Sequence, residues 1–320
     1  MNKNDRRNIL SEVEVVENFN HIPVMLKECI AGLNIKPNGI YVDGTLGMGG
    51  HSRVIASMLH GGKLIAFDKD GLAMAHTMDT LTDYNFITFI NADFKSIKEH
   101  VNEKVDGILL DLGVSSYQLD TPSRGFSYRF DGDLDMRMDR REKLTAKDVV
   151  NNYSRDELLK ILYTYGEENY AKCIVDGIIA RRNVSPINTT KDLTETIYAS
   201  VPKKYQVGGS PCKKTFQAIR IEVNGELSNL DTALNDMIDM LNPGGRLRVL
   251  TFHSLEDRIV KNVFNYHTTN CICDKSIPVC VCGHKADCKL INKKPIVASK
   301  EELSKNKRSA SAKLRVIEKL

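Results

Sequence analysis

The run Asp43-Gly44-Thr45-Leu46-Gly47-Met48-Gly49-Gly50-His51-Ser52 places an acid ahead of closely spaced glycines, a histidine and a serine. Glycines in such a run let the backbone turn tightly and approach a bound molecule. A helix opening at its end would present free N–H groups to a carboxylate or phosphate. The spacing is not G-x-G-x-x-G, which weakens a dinucleotide reading. Asp68, 25 residues after Asp43, could accept both hydroxyls of a ribose. This set suits S-adenosylmethionine as well as NAD. Asp43 favours the former, because a carboxylate repels a pyrophosphate and attracts an ammonium or sulfonium. Asp93-Phe94 would then edge the adenine, Phe94 giving an apolar face. Taken singly, each glycine makes a turn and each aspartate caps a helix; the ordered set is what points to a ligand.

A second group is Cys271, Cys273, Cys280, Cys282 and Cys288, all close to His284. In a reducing compartment such a cluster reads as metal ligands rather than a disulfide framework. The paired C-x-C units Cys271/Cys273 and Cys280/Cys282 would supply four thiolates for a structural zinc, with His284 or Cys288 as substitutes. Free thiols on a loop are the alternative. Cys29, Cys173 and Cys212 are scattered. From Lys285 onward there are eleven Lys or Arg against four acids, a segment suited to a polyanion or simply to water.

Short apolar, β-branched runs that alternate with helical patterns must position these groups, which is the signature of an α/β parallel sheet. Strands are predicted at Ile40–Asp43, 63–68, 86–90, 105–111 and 247–252, with helices at 52–59 and 72–81. Three strands end in or beside Asp43, Asp68 and Asp111, and ligands of open α/β sheets bind at the carboxyl ends of strands. After Asp111 the strand rhythm stops, and from Ala146 to Ser200 the apolar spacing is mostly helical. A single helix is predicted over 215–241, closed by Asn242-Pro243-Gly244-Gly245. The organisation expected is a flexible arm at 1–20, a sheet domain at 21–120, an inserted helical substrate-recognition domain at 121–214, and the rest of the sheet domain at 215–320, with a Cys-rich loop at 271–288.

With 320 residues, 42% of them hydrophobic and 27% charged, the chain can bury a core, and disordered or fibrous classes are excluded. A net charge of +4 implies little about partners. No apolar run is long enough for a membrane span and residues 1–20 lack a signal-peptide core, so no membrane partner and a cytoplasmic location are expected. The expected state is a monomer or homodimer.

Several motifs in order now become recognisable: His21-Ile22-Pro23-Val24-Met25-Leu26, the Asp43–Ser52 run, Asp106-Gly107-Ile108-Leu109-Leu110-Asp111-Leu112-Gly113-Val114-Ser115-Ser116, Arg124-Gly125-Phe126-Ser127, Leu134-Asp135-Met136-Arg137-Met138 and Thr251-Phe252-His253-Ser254-Leu255-Glu256-Asp257-Arg258. They closely resemble the bacterial 16S ribosomal RNA cytosine-N4 methyltransferase family, RsmH or MraW. The resemblance implies a Rossmann-like S-adenosylmethionine-dependent methyltransferase fold with an inserted helical domain. It further implies methyl transfer to the N4 amine of a cytidine in the decoding region of 16S rRNA, in the small ribosomal subunit. Carried over by motif, the cofactor contacts would be Gly49, Gly50, His51, Asp68, Phe94, Asp111 and Gln118.

The cytosine amine is a poor nucleophile because its lone pair is delocalised into the ring. Acceptors must hold its N–H groups and take a proton. Asp111 and Ser115, in the segment after the fourth strand, are the candidate catalytic residues, with backbone carbonyls near Leu112 to Ser115, and Tyr117 or Phe126 offering a stacking face. Related amino-methyltransferases carry an acid or amide followed by two prolines and an aromatic here; this chain does not. His253 could face the same cleft or simply bond backbone. Among Arg137, Arg140, Arg141, Lys172, Arg181, Arg182, Lys203, Lys204, Lys213 and Lys214, some would line a phosphate-binding cleft and most would be solvated charges. By fold alone an NAD-dependent oxidoreductase remains a rival, as does a non-enzymatic RNA-binding protein.

Overall fold

A computed structural model describes residues 23–207, 209–274, 276–277 and 279–320. The arm expected at 1–20, and His21-Ile22 of the first motif, lie outside the described residues. The chain divides into two compact units. One runs to Gly113 and resumes at Asn229–Leu320; the other is Val114–Ser228. The segment 121–214 lies inside the second unit, which also takes in 114–120 and 215–228.

The first unit is built on a sheet. Its strands are β1 (Ile40–Asp43), β2 (Lys63–Phe67), β3 (Ile87–Ile90), β4 (Val105–Asp111), β5 (Leu241–Thr251), β6 (Cys288–Leu290), β7 (Ile296–Val297) and β8 (Lys313–Lys319). The order is β3-β2-β1-β4-β5-β8-β6, with β7 also paired to β8. Strands β1 to β5 are parallel, and β8 is antiparallel to β5, β6 and β7. From β1 the chain builds outward through β2 to β3, and from β4 outward in the other direction to β5. The order therefore reverses between β1 and β4, and the carboxyl ends at such a reversal are the usual binding place of a doubly wound sheet.

Apolar residues of β1, β2, β4, β5 and β8 pack against two helices on one side, α1 (Leu26–Leu33) and α2 (Gly50–Ser57). Tyr41, Leu64, Leu109, Leu250 and Leu314 meet Met25, Ile30, Leu33, Val54 and Ile55 there, all essentially inaccessible to water. Helix α3 (Gly71–Thr80) follows β2, and Asp70 caps it by accepting Leu72 N and Ala73 N. A single turn of 3-10 helix, Phe94–Ser96, leads into the short α4 (Ile97–His100).

The second unit is helical: α5 (Ser116–Asp120), α6 (Ala146–Asn152), α7 (Arg155–Thr164), α8 (Ala171–Val184), α9 (Thr190–Ser200), α10 (Lys203–Gln206) and α11 (Cys212–Asn224). Leu134, Val149, Leu158, Ile174, Ile178, Leu193, Ile197 and Ile219 form its own core. Capping boxes at Thr145/Asp148, Ser154/Glu157 and Thr189/Asp192 start three of the helices.

Two sequence expectations are corrected. The helix predicted over 215–241 is two helices, α11 and α12 (Leu230–Met240), the latter in the first unit. Gly225 takes φ +55°, a left-handed conformation that ends α11, its N–H bonding Glu222 O and Ile221 O. Asn242 to Gly245 do not close a helix outside the sheet. They are taken up inside β5 as an irregularity, the register passing from Val105 opposite Leu241 to Gly107 opposite Arg246. After β5, α13 (Ser254–Thr268) and α14 (Lys300–Lys305) complete the first unit. Among the described residues no helix is long and apolar enough to cross a membrane.

Candidate active site

Three of the predicted acids converge at the carboxyl ends of β1, β2 and β4. Asp43 is buried; its Oδ1 accepts Thr45 N at 3.0 Å and its Oδ2 accepts the Ser52 hydroxyl at 2.6 Å. Thr45 in turn accepts Asp111 N at 2.6 Å, so the turn after β1 is tied to the end of β4. Asp68 accepts Gly47 N at 2.7 Å and Asp70 N at 2.8 Å, one on each oxygen. That leaves each oxygen a second lone pair. Asp111 differs from both, because its Oδ1 is buried and has no hydrogen-bond partner.

The electrostatics follow from this crowding. Burial pushes all three carboxyls above their usual range. Asp68 reaches about 6, with its two backbone N–H bonds opposing the rise and the charges of Asp70 and Asp43 adding to it. Asp43 is raised by burial and held back by Ser52 and Thr45. Asp111 reaches about 8, from burial first and then from the charges of Asp43 and Glu256. Among the described residues no lysine or arginine pairs with Asp43, Asp68 or Asp111. Like charges drawn together away from water raise one another's affinity for protons, and for any cation that can replace them.

The glycine run does two jobs. Its backbone forms the turn whose Gly47 N–H binds Asp68, while Thr77 of α3 donates its hydroxyl to Gly47 O at 2.7 Å. Gly50 opens α2 where the chain passes Pro23, and a Cβ there would fall 2.2 Å from Pro23 Cγ. Gly49 is the N-cap of α2 and gives it no side-chain cap. The buried His51 of the same helix has Nε2 at 3.2 Å from Val24 O and Nδ1 at 3.8 Å from Asp111 Oδ2. Phe94 is half-buried in the 3-10 turn capped by Asp93, whose other oxygen pairs with Lys69 at 3.3 Å. A Cβ on Gly44 would approach Phe94 Cβ to 3.2 Å, which sets this ring beside the turn after β1.

At the end of β5, His253 caps α13, its Nδ1 accepting Glu256 N at 3.4 Å while Nε2 lies 3.1 Å from Glu256 Oε1. Glu256 is buried, and its Oε2 accepts Phe252 N at 2.8 Å. Residue types alone do not mark Glu256, because His253 takes the N-cap place that Ser or Thr holds in the usual capping-box pattern. Asp257 bonds Arg315 at 2.7 Å and Lys313 at 3.2 Å, pinning α13 to β8.

Ser115 and Gln118 lie in the second unit and bond each other. Gln118 N donates to Ser115 Oγ at 3.2 Å and Ser115 N to Gln118 Oε1 at 3.0 Å, a reciprocal capping box that starts α5. The Asp68 and Asp111 carboxyls and the Gly49–His51 turn are thus grouped in the first unit; Ser115 and Gln118 are grouped with each other.

Several basic side chains of the second unit are occupied. Arg137 pairs with Asp135, Arg141 with Asp139 and Arg181 with Asp192, Arg182 bonds the carbonyls of Val150 and Tyr153, and Lys214 that of Glu167. Lys172, Lys203, Lys204 and Lys213 are exposed and make no ion pair to a described residue. In the Cys-rich loop the sulfurs of Cys271, Cys273, Cys280 and Cys282 come within 4.8 Å of one another. Cys288 is buried at the start of β6, outside this group, and His284 Nε2 bonds Tyr266 O at 2.9 Å.

The model of the MraW methylase family matches residues 18–320. The chain belongs to this family. Similar relatives include "Ribosomal RNA small subunit methyltransferase H" of Finegoldia magna, 52% identical over 94% of this chain and 99% of that protein. The protein of the same name from Caldicellulosiruptor saccharolyticus is 53% identical over 94% of this chain and 100% of its own length. That of Clostridioides difficile is 49% identical over 94% and 99%. Membership makes the carboxyl ends of β1 and β4 the candidate active site of a methylase.

Proposed function

We propose that this chain transfers a methyl group from S-adenosylmethionine to the exocyclic N4 amine of a cytidine in the decoding region of 16S rRNA. Family membership and the name the relatives carry support an rRNA of the small ribosomal subunit as substrate, and with it a cytoplasmic site of action. The observation that carries the reading is the convergence of Asp43, Asp68 and Asp111 at the carboxyl ends of β1, β2 and β4, where strand order reverses and burial raises all three carboxyls.

The residues fit the donor. Asp68, with a free lone pair on each oxygen, accepts the ribose hydroxyls. Phe94 lines the adenine. In the Gly49-Gly50-His51 turn Gly49 N already bonds Leu46 O, and Gly50, at the start of α2 where no side chain caps the helix, offers its backbone N–H to the carboxylate end. Gln118 is assigned to the same ligand through its motif, and its box with Ser115 fixes its rotamer. When bound, S-adenosylmethionine supplies a methyl group made electrophilic by a sulfonium.

Asp111 then serves twice. Its charge favours a cation beside it, and the partly exposed side of its carboxylate, Oδ2, is an acceptor for an N–H of the target amine, directing the nitrogen lone pair and taking the proton lost on methylation. His51 Nδ1 lies 3.8 Å from that oxygen, beyond hydrogen-bond distance. Ser115, whose oxygen accepts Gln118 N, keeps its O–H as a donor to the base. The target cytidine must be splayed from its stack to reach this site. Lys172, Lys203, Lys204 and Lys213 supply exposed charge for the RNA backbone. Alignment of the two reactants accounts for most of the rate enhancement.

The test is nucleoside analysis of 16S rRNA from cells with and without the gene. Loss of one N4-methylcytidine on deletion, restored by the wild-type gene and not by Asp111→Ala, is the expected outcome. Unchanged N4-methylcytidine would refute the assignment.

A further inference from the structure

Among the described residues, the loop between α13 and β6 buries no apolar side chain of its own. Ile272, Val279 and Val281 are 50%, 70% and 77% exposed, so apolar burial does not hold it together. At its root the chain is fixed by ordinary bonds. His267 Nδ1 lies 2.8 Å from Asp287 Oδ1, its Nε2 lies 2.8 Å from Asn235 Oδ1, and Lys319 pairs with Asp287 at 2.7 Å. Those contacts satisfy His267 and Asp287 from within. Beyond the root, the interior of the loop is four sulfurs.

Their spacing is informative. Cys280 and Cys282 are 3.6 Å apart, Cys282 and Cys271 3.9 Å, and Cys273 and Cys280 4.0 Å. Disulfide sulfurs would lie about 2.05 Å apart, and all four cysteines are free. Four sulfurs at about 2.3 Å from a tetrahedral zinc are separated by about 3.8 Å. Backbone N–H groups are aimed at the sulfurs as well: Ile272 N to Cys282 Sγ and Val281 N to Cys273 Sγ, both at 3.4 Å. Such bonds stabilise the anionic form that a metal ligand must adopt. With His284 committed to Tyr266 O and Cys288 buried in β6, the ligand set closes at four sulfurs, leaving no open coordination position.

We propose that Cys271, Cys273, Cys280 and Cys282 bind one Zn²⁺ as a closed, structural tetrathiolate site. Coordination converts the four thiols to thiolates, releases their protons to solvent, and leaves a complex of charge −2. No oxidation or reduction occurs. The metal replaces the missing core and fixes the loop against the β6 edge of the sheet; it takes no part in methyl transfer.

The full chain, purified without chelator from zinc-supplemented cells, should carry about one zinc per chain by elemental mass spectrometry, and a thiol-modifying mercurial should release it. Reconstitution of the stripped protein with Co²⁺ alone should give the intense visible absorption of tetrahedral tetrathiolate cobalt. Cys273→Ser and Cys280→Ser should each lower bound zinc at least tenfold, whereas Cys173→Ser and Cys288→Ser keep it. Affinity for S-adenosylmethionine should change less than twofold on metal removal. Substoichiometric zinc together with no tetrahedral cobalt spectrum from the wild-type chain would overturn the proposal, whatever the variants' folding. So would zinc retained by both ligand variants, or disulfides among the four cysteines under native conditions.

Discussion

Replacing Asp111 with asparagine should abolish most of the pH dependence of S-adenosylmethionine binding. The carboxyl sits at about 8, raised by burial and by the charges of Asp43 and Glu256. A cationic ligand prefers the ionised form. Below that value binding must release a proton, so affinity rises with pH and levels off once the group is already ionised. With an apparent value near 8 the ionised fraction is about 1% at pH 6 and about half at pH 8, a gain of about fifty-fold, or about 2.3 kcal/mol at 1.36 kcal/mol per tenfold change. Asp68, at about 6, adds a weaker dependence on the acid side. Calorimetric titration from pH 6 to 9 in buffers of different ionisation enthalpy reads both affinity and protons, and about 0.9 proton should leave per ligand at pH 7. S-adenosylhomocysteine, without the sulfonium charge, should show a shallower slope. A wild-type affinity flat across this range, or a slope that survives in Asp111→Asn, would refute the placement of Asp111 beside the donor's charge.

The same crowding makes the ligand-free protein less stable as pH rises. A carboxyl whose folded value is raised binds more protons folded than unfolded, so its stabilisation is lost between the ordinary carboxylate value and about 8; Asp111→Asn should melt higher than wild type at pH 8, with the gain shrinking toward pH 5. Gly50→Ala puts a methyl 2.2 Å from Pro23 Cγ and should cost about 1–3 kcal/mol, read as a lower urea midpoint. Arg248 is fully buried with Nε, Nη1 and Nη2 unpartnered, so Arg248→Met should stabilise the fold by about 1 kcal/mol or more, read as a higher urea midpoint. Lys203→Glu with Lys204→Glu should weaken rRNA binding and flatten the plot of log affinity against log salt by about 0.7 per lost contact; an unchanged slope would remove these lysines from the interface.

Much of this was legible from residue types alone. Strands β1, β2, β3 and β4 are β-branched runs whose observed bounds fall within a residue of the expected ones, and Asp43 and Asp111 end β1 and β4 as their spacing suggested. The break at Gly225 was hidden because apolar spacing continues through it, and only the left-handed turn separates α11 from α12. Capping in three dimensions was equally hidden. Asp43 spends its oxygens on Thr45 and Ser52, and Ser115 engages Gln118, pairings that depend on where turns fold back. Glu256 enters the acid cluster only because β5 lies beside β4, a relation that sequence order does not reveal.

The most direct test is methyl transfer in vitro: purified chain, isotopically labelled S-adenosylmethionine and small-subunit rRNA or particles lacking the modification, followed by nucleoside mass spectrometry. The account predicts label on the N4 nitrogen of a single decoding-region cytidine, strongly reduced by Asp111→Asn. Label on a ring carbon, on a ribose oxygen or on another base, or full transfer by the asparagine variant, would contradict it.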